Sequence, residues 1–295
     1  MPKVKTLIES PNGSVIGVNK KRLLEVPYYL LPNPPFNSVA MAANQGSLPT
    51  PMTLSGEGPV QILGSTAQRT GVCRVFISLQ DGDSTQALMN GSIHVDTIFG
   101  GFGPGLTRPY FWPEALYLDE GRSLILTASD ISGSANAIRP CFLCSRYLGW
   151  ESDPGLVRIR NRMEGKQYLS RPFFYTFNSG PITLPGGAAG VGEIDIGQDH
   201  HFEMFQLSAV STGAFSMNIV DANKGESLVV APQETWYNIN SPLFVGNNFF
   251  PFRLHEPVFF EARSKINVNL FNLTQAENRI DLTLGGRILA LKKWI

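Results

Sequence analysis

The sequence predicts an all-β protein built as two tandem, related β-sandwich or jelly-roll-like domains behind an extended amino-terminal arm. Three observations lead there. The 295 residues include 29 glycines and 21 prolines, about 17% of the chain against about 12% in average proteins. Such frequent punctuation favours short strands and turns over long helices. The apolar residues alternate with a period of two rather than recurring every three or four. Finally, the chain repeats itself.

The repeat starts from a short match, PMTLSGEG at 51–58 against PITLPGGA at 181–188, 130 positions apart. A longer, ungapped match sets 109–142 against 251–284 at a shift of 142. Glu114 then meets Glu256; Leu116 and Leu118 meet Val258 and Phe260; Leu124, Leu126 and Ala128 meet Ile266, Val268 and Leu270. Asp130, Ser132 and Asn136 meet Asn272, Thr274 and Asn278; Ile138 and Phe142 meet Ile280 and Leu284. Identity is modest, but the parity of apolar positions is kept. Because side chains alternate between the faces of a strand, a slip of one residue would invert the core. Two stretches of equal parity read as two copies of one β-unit. The two shifts, 130 and 142, call for about twelve extra residues in the second copy, expected around 221–248.

Individual strands are legible in the second copy. KINVNLFN (265–272) alternates cleanly, as do RIDLTL (279–284) and RILAL (287–291), with Gly285-Gly286 expected as a two-residue turn between the last two. Seven or eight such strands per copy suit a sandwich or jelly roll. The best helix candidate is the short VNKKRLLEV (18–26).

The expected organisation is an arm over 1–40, a first sandwich over 41–150, a linker over 151–170 and a second sandwich over 171–295. The arm contains VPYYLLPNPPF (26–36). Its prolines deny it a central-strand role, yet it is too apolar for a solvated linker. It must lie extended against something, either its own domain or a neighbouring subunit. Tyr28, Tyr29, Leu30, Leu31 and Phe36 are the candidate interface anchors. In the linker, Arg158, Arg160 and Arg162 would share one face of an extended strand. That face could meet phosphates, but a solvated face is the preferred reading, and the net charge of zero argues against an open nucleic-acid binder.

Little in the chain points to catalysis. Cys141 and Cys144 form one C-x-x-C, half a zinc site at most, and Cys73 stands alone. On a strand, residues three apart face opposite ways, so core cysteines are expected. Asp195, Asp199, His200 and His201 cluster in DIGQDHH (195–201), read as a polar turn. There is no nucleophile elbow, phosphate loop or dinucleotide fingerprint. No catalytic residue, cofactor or metal ligand is assigned. The amino-terminal residues lack a signal-peptide core, and no apolar run is long enough to span a membrane. Charged residues make up only 16% of the chain, against about 25% in typical soluble domains, which suits a subunit that hides surface against neighbours.

The carboxy-terminal part carries a resemblance. It opens with RPFFYTFNSGPITLPGG (171–187), runs through HFEMFQLSAVSTGAFSMNIVDANKGESL (201–228) and closes with FEARSKINVNLFNLTQAENRIDLTLGGRILAL (260–291). The order is an aromatic opening strand, a small-residue segment, a strand with Phe, a polar D-x-x-x-G turn and an L-x-G-x-x-L hairpin. This resembles a class of bacteriophage virion structural proteins, and two tandem sandwiches are also similar to the double jelly-roll capsid proteins of tailless viruses. The resemblance implies a capsid, capsid-decorating, neck or tail component, made in the host cytoplasm and residing in the virion. Its implied partners are copies of itself, with a trimer favoured, and other virion proteins. The alternative is a carbohydrate- or receptor-binding tandem sandwich whose Trp112, Trp150 or Trp236 would stack on sugar rings.

Overall fold

The computed structural model describes residues 24–32, 38–54, 59–100, 102–103, 106–148, 170–228, 239–240 and 251–290. The first half contains β1 (Leu24–Leu30), β2 (Val39–Met41), β3 (Thr50–Thr53), β4 (Val60–Arg69), β5 (Cys73–Asp81), β6 (Ser84–Ala87) and β7 (Ile93–His94). A one-turn helix α1 (Val95–Ile98), the small pair β8 (Phe102–Gly103) and β9 (Leu106–Thr107), β10 (Tyr110–Leu118), β11 (Ser123–Asp130) and β12 (Asn136–Leu148) complete it. The second half contains β13 (Ser170–Tyr175), β14 (Ile182–Leu184), β15 (Ala189–Asp195), β16 (His200–Ser211) and β17 (Phe215–Asp221). It ends with β18 (Glu226–Ser227), β19 (Ile239–Asn240), β20 (Phe252–Phe260), β21 (Lys265–Asn272) and β22 (Asn278–Ala290).

Each half is a sandwich of two antiparallel sheets. In the first, β1-β12-β4-β10, with β2 beside β12, faces β3-β11-β5-β6, with β7 beside β5. In the second, β13-β22-β16-β20, with β14 beside β22, faces β15-β21-β17-β18, with β19 beside β17. Neighbouring strands are distant in sequence and the order is the same in both halves, a jelly-roll arrangement. Alternation fills each core. Val75, Ile77, Leu79, Leu124 and Leu126 point into the first, and Met217, Ile219, Ile266, Val268 and Leu270 into the second.

The shift of 142 holds strand for strand. It carries Tyr110–Leu118 onto Phe252–Phe260, Ser123–Asp130 onto Lys265–Asn272, and Asn136–Leu148 onto Asn278–Ala290. It also holds where no sequence match was seen: Met52 pairs with Leu124, and Ile194 pairs with Ile266. Even the irregularities coincide. The β4–β12 register slips around Leu63 and the β16–β22 register around Phe205, so each bulge sits at the same place in the plan.

Three expectations need correction. The PMTL/PITL match is not an equivalence: Met52 lies in β3, paired to β11, whereas Ile182 lies in β14, paired to β22. The counterpart of Ile182 is in β2, and no twelve-residue insertion is needed. Gly285 and Gly286 form no turn; they lie within the unbroken thirteen-residue strand β22. They face the bulge of β16, and a Cβ on Gly286 would stand 2.0 Å from the Glu203 carbonyl oxygen. These glycines therefore serve close backbone approach rather than reversal. Lastly, residues 24–30, placed in the arm, form the edge strand β1. Pro27 is tolerated there because an edge strand pairs on one side only. Leu24 to Val26, the end of the helix candidate, are thus strand; the rest of that candidate, Phe36 and the linker arginines lie outside the described residues.

Turns at equivalent places are tied by equivalent residues. Asp130, at the end of β11, accepts from the backbone N–H groups of Asn44 (2.7 Å), Ser132 (3.0 Å) and Gly133 (3.1 Å), and from the Ser132 hydroxyl (2.6 Å). Asn272 accepts from the Thr274 N–H and hydroxyl and donates to the carbonyls of Leu184, Pro185 and Ala276. The recurrence of Asp/Asn and Ser/Thr in the sequence is thereby explained as turn chemistry.

Candidate functional site

The candidate site is the junction between the two sandwiches together with the sheet face that repeats it. Strand β22 is buried on both sides. Ile280, Leu282 and Leu284 enter the second core, while Asp281, Thr283 and Gly285 turn toward the first sandwich. Asp281 forms a buried ion pair with Arg74 of β5, whose Nε also donates to the Ser92 carbonyl at 3.0 Å. The Thr283 and Thr97 hydroxyls meet at 2.7 Å, and the Ser208 hydroxyl donates to the Thr97 carbonyl at 2.5 Å. Gln206 donates to the Tyr110 hydroxyl at 2.7 Å. Burial pushes the Tyr110 hydroxyl well above its ordinary pKa, so it stays a neutral acceptor here.

Strand β13 binds both halves at once. Phe173 and Tyr175 enter the second core, but Phe174 between them enters the first. Its ring packs against Trp112 (centroids 5.6 Å apart) and Tyr110 (6.3 Å). Its backbone N–H donates to Leu88 and its carbonyl accepts from Asn90, so residues 88–90 cover the outer edge of β13. The Asn90 side chain adds a reciprocal pair of 2.8 Å bonds to the backbone of Thr176. The two sandwiches thus meet over an aromatic contact rimmed by buried hydrogen bonds.

The five predicted anchors divide by strand parity. Leu30 is 2% exposed and belongs to the first core; Tyr28 packs against that core with the Arg146 guanidinium 3.7 Å from its ring centroid. Neither is free to anchor a neighbour. Tyr29 and Leu31, on the opposite face, are exposed. The pairing of Leu30 with Phe142 decides which residues of the segment face in.

The other motifs resolve into local structure. Cys144 lies in the core and Cys141 on the other face of β12; burial raises both thiols, Cys144 and the buried Cys73 to about 12. Asp195 accepts from the Asn178 side chain, and His201 accepts from the Ala262 N–H. His200 bridges Asp199 and the Tyr175 hydroxyl, each at 2.7 Å. Among the described residues no three His, Cys, Asp or Glu side chains converge on a metal position. Glu114 takes a hydrogen bond from Ser170 and faces Arg287 across the junction, while its counterpart Glu256 is exposed. Trp112 is 5% exposed and donates to Ser65, so it cannot stack on a sugar. Trp150 and Trp236 lie outside the described residues.

No protein-family model matches the chain, and no curated protein matches it at a significant level. Among solved structures, a chain of Sulfolobus Turreted Icosahedral Virus aligns at 11% identity and a TM-score of 0.26, over 87% of this chain and 61% of that one. An insecticidal delta-endotoxin of Bacillus thuringiensis aligns at 10% identity and 0.24, over 92% and 53%, and a vicilin of Solanum lycopersicum at 7% and 0.16, over 91% and 74%. This chain therefore spans about three fifths of the virus chain and half of the endotoxin. At these scores the likenesses carry no argument about function. Among the described residues no helix is long and apolar enough to cross a membrane.

Proposed function

We propose that this chain is a structural subunit of a bacteriophage particle, a capsid or capsid-associated protein that acts by assembling with copies of itself and with other virion proteins. The observation that carries the reading is the junction itself. Two jelly rolls of one plan are joined through β13 and the doubly buried strand β22, while the matching sheet of the first jelly roll leaves Tyr29 and Phe111 exposed. Exposed aromatics on an ordered sheet are the usual raw material of protein interfaces. The resemblance of residues 171–291 to virion structural proteins supports the same reading, as does the low share of charged residues. Catalysis has no part in it, and a trimer is the favoured assembly.

The test is size-exclusion chromatography with light scattering on the purified chain, followed by negative-stain microscopy of the same peak. A closed ring, trimer or shell is the expected result. A monomer at every accessible concentration, with and without preformed phage shells, would remove the proposal.

A further inference from the structure

One ionisable side chain lies inside the junction and has no part in the reading above. His94 closes β7 and is 6% exposed. It stands directly opposite Arg74 in the β5–β7 pair, so the two side chains share a face. That face is turned toward β22, because Arg74 holds Asp281 there. The His94 Nδ1 accepts from the Asp96 backbone N–H at 3.2 Å and so caps α1. A ring nitrogen that accepts carries no proton, so the imidazole is neutral with its proton on Nε2.

Helix α1 is a part of the first sandwich that lies directly on β16 and β22. Its Thr97 hydroxyl donates to the His94 carbonyl at 2.8 Å and therefore accepts from the Thr283 hydroxyl, while the Thr97 carbonyl accepts from Ser208. Cap, helical turn and the bonds between the sandwiches are consecutive links of one chain of contacts. The charged groups around the ring come from four elements: Asp96 on α1, Arg69 at the end of β4, Arg74 on β5 and Asp281 on β22, which Arg279 also approaches at 3.8 Å. They already pair off, Arg69 with Asp96 and Arg74 with Asp281. A proton on His94 thus adds a cation where both carboxylates are taken. Burial holds the imidazole below its ordinary pKa against the pull of Asp281 and Asp96, and Arg69 and Arg74 oppose the proton as well.

We propose that His94 is an acid-operated release for the junction: a second proton, placed on Nδ1, turns the cap acceptor into a donor, unseats α1 and lets the two sandwiches part while each core stays closed. Each sandwich has an apolar core of its own, and Phe174 of β13 is the side chain that crosses between them. With the junction open, the ring meets water and binds its proton at the ordinary imidazole pKa; with the junction closed, it resists the proton. The closed form is therefore fully favoured above about pH 6.5 and loses that advantage as pH falls below it. The device belongs to the single chain and does not depend on what that chain assembles with.

The experiment is hydrogen–deuterium exchange of the full chain at pH 8 and pH 5, corrected for intrinsic exchange rates and read residue by residue. The reporting amides are Asp96, Phe99 and Asn90, bonded to the His94 ring, the Val95 carbonyl and the Phe174 carbonyl. The expected result is a loss of protection of at least about tenfold at these amides at pH 5, while the amides of β11 and β21 keep theirs. His94→Asn keeps an acceptor at the cap but takes up no proton, so it should hold the same protection at both pH values. Protection in the wild type that does not change with pH overturns the proposal. So does a loss that extends equally to β11 and β21, which is unfolding of the whole chain, or a loss that persists in His94→Asn. If His94→Asn is already open at pH 8, His200→Gln decides: the loss must survive in that variant, and its disappearance there makes His200 the trigger and overturns the proposal.

Discussion

Phe174 and Tyr29 occupy the same place in two jelly rolls of one plan, yet one lies in the core of the other sandwich and the other faces solvent. Their consequences for stability should differ accordingly. Phe174→Ala opens a cavity beside Tyr110 and Trp112 and is expected to cost about 3–5 kcal/mol. Tyr29→Ala should stay within about 0.5 kcal/mol in the isolated chain. Urea denaturation of both variants, followed by tryptophan fluorescence from Trp112, makes the comparison.

The Arg74–Asp281 pair joins positions 207 residues apart, inside the junction. Removing Asp281 leaves the Arg74 charge buried with only the Ser92 carbonyl to accept from it, and removing Arg74 leaves Asp281 only the longer, half-exposed contact to Arg279 at 3.8 Å. Asp281→Asn and Arg74→Met are each expected to destabilise by about 3–5 kcal/mol, while replacing both with apolar residues should cost less than the worse single change. A double-mutant cycle in urea would expose a contrary, additive outcome.

Gly286 offers a sharper test of backbone approach. Any side chain there meets the Glu203 carbonyl and the Phe202 ring. Gly286→Val should cost more than the usual 1–3 kcal/mol of overpacking, because the obstacle is backbone rather than a movable side chain. If 285–286 were a hairpin turn, the same substitution would be mild. Thermal melts of the variant decide between the two.

Stability should fall on acidification in two steps. Burial holds the His200 imidazole below its ordinary pKa, against the pull of Asp199 beside it, with Arg171 and His201 also disfavouring the proton. The unfolded chain therefore binds the proton more readily, so this contribution is complete above about pH 6.5 and is lost as pH falls below it. The buried His94 is lowered in the same direction. Further down, hydrogen bonds from Ser132 and Asn44 hold Asp130 to about 2. Its contribution is complete above the ordinary carboxylate range and disappears as pH falls through about 2. Melting temperatures from pH 8 to pH 2 should show both steps. His200→Gln should shrink the first and Asp130→Asn the second; unchanged profiles would contradict these assignments.

Much of the fold was legible because its signal is local. A strand half-buried in a sandwich must alternate, so Ile266, Val268 and Leu270 mark a strand and a face without knowledge of their neighbours. The same parity in 109–142 and 251–284 was enough to show one plan twice. Asp130 and Asn272, with the Ser or Thr two residues on, likewise announce a turn from short-range chemistry.

What the tertiary structure decided is which distant strand lies alongside. PMTL and PITL look alike, but their partners β11 and β22 place them in different sheets. Glycines 285 and 286 read as a turn until β16 arrives across from them. Leu30 and Tyr29 look equally fit to anchor a neighbour until pairing with β12 turns one inward and the other outward. Trp112 looks fit for a ligand until Phe174 covers it. Local pattern alone determined the strands, their faces and their repetition. Edge, junction and exposed face depend on contacts between residues tens to hundreds of positions apart, and a period of two cannot encode the identity of a remote partner.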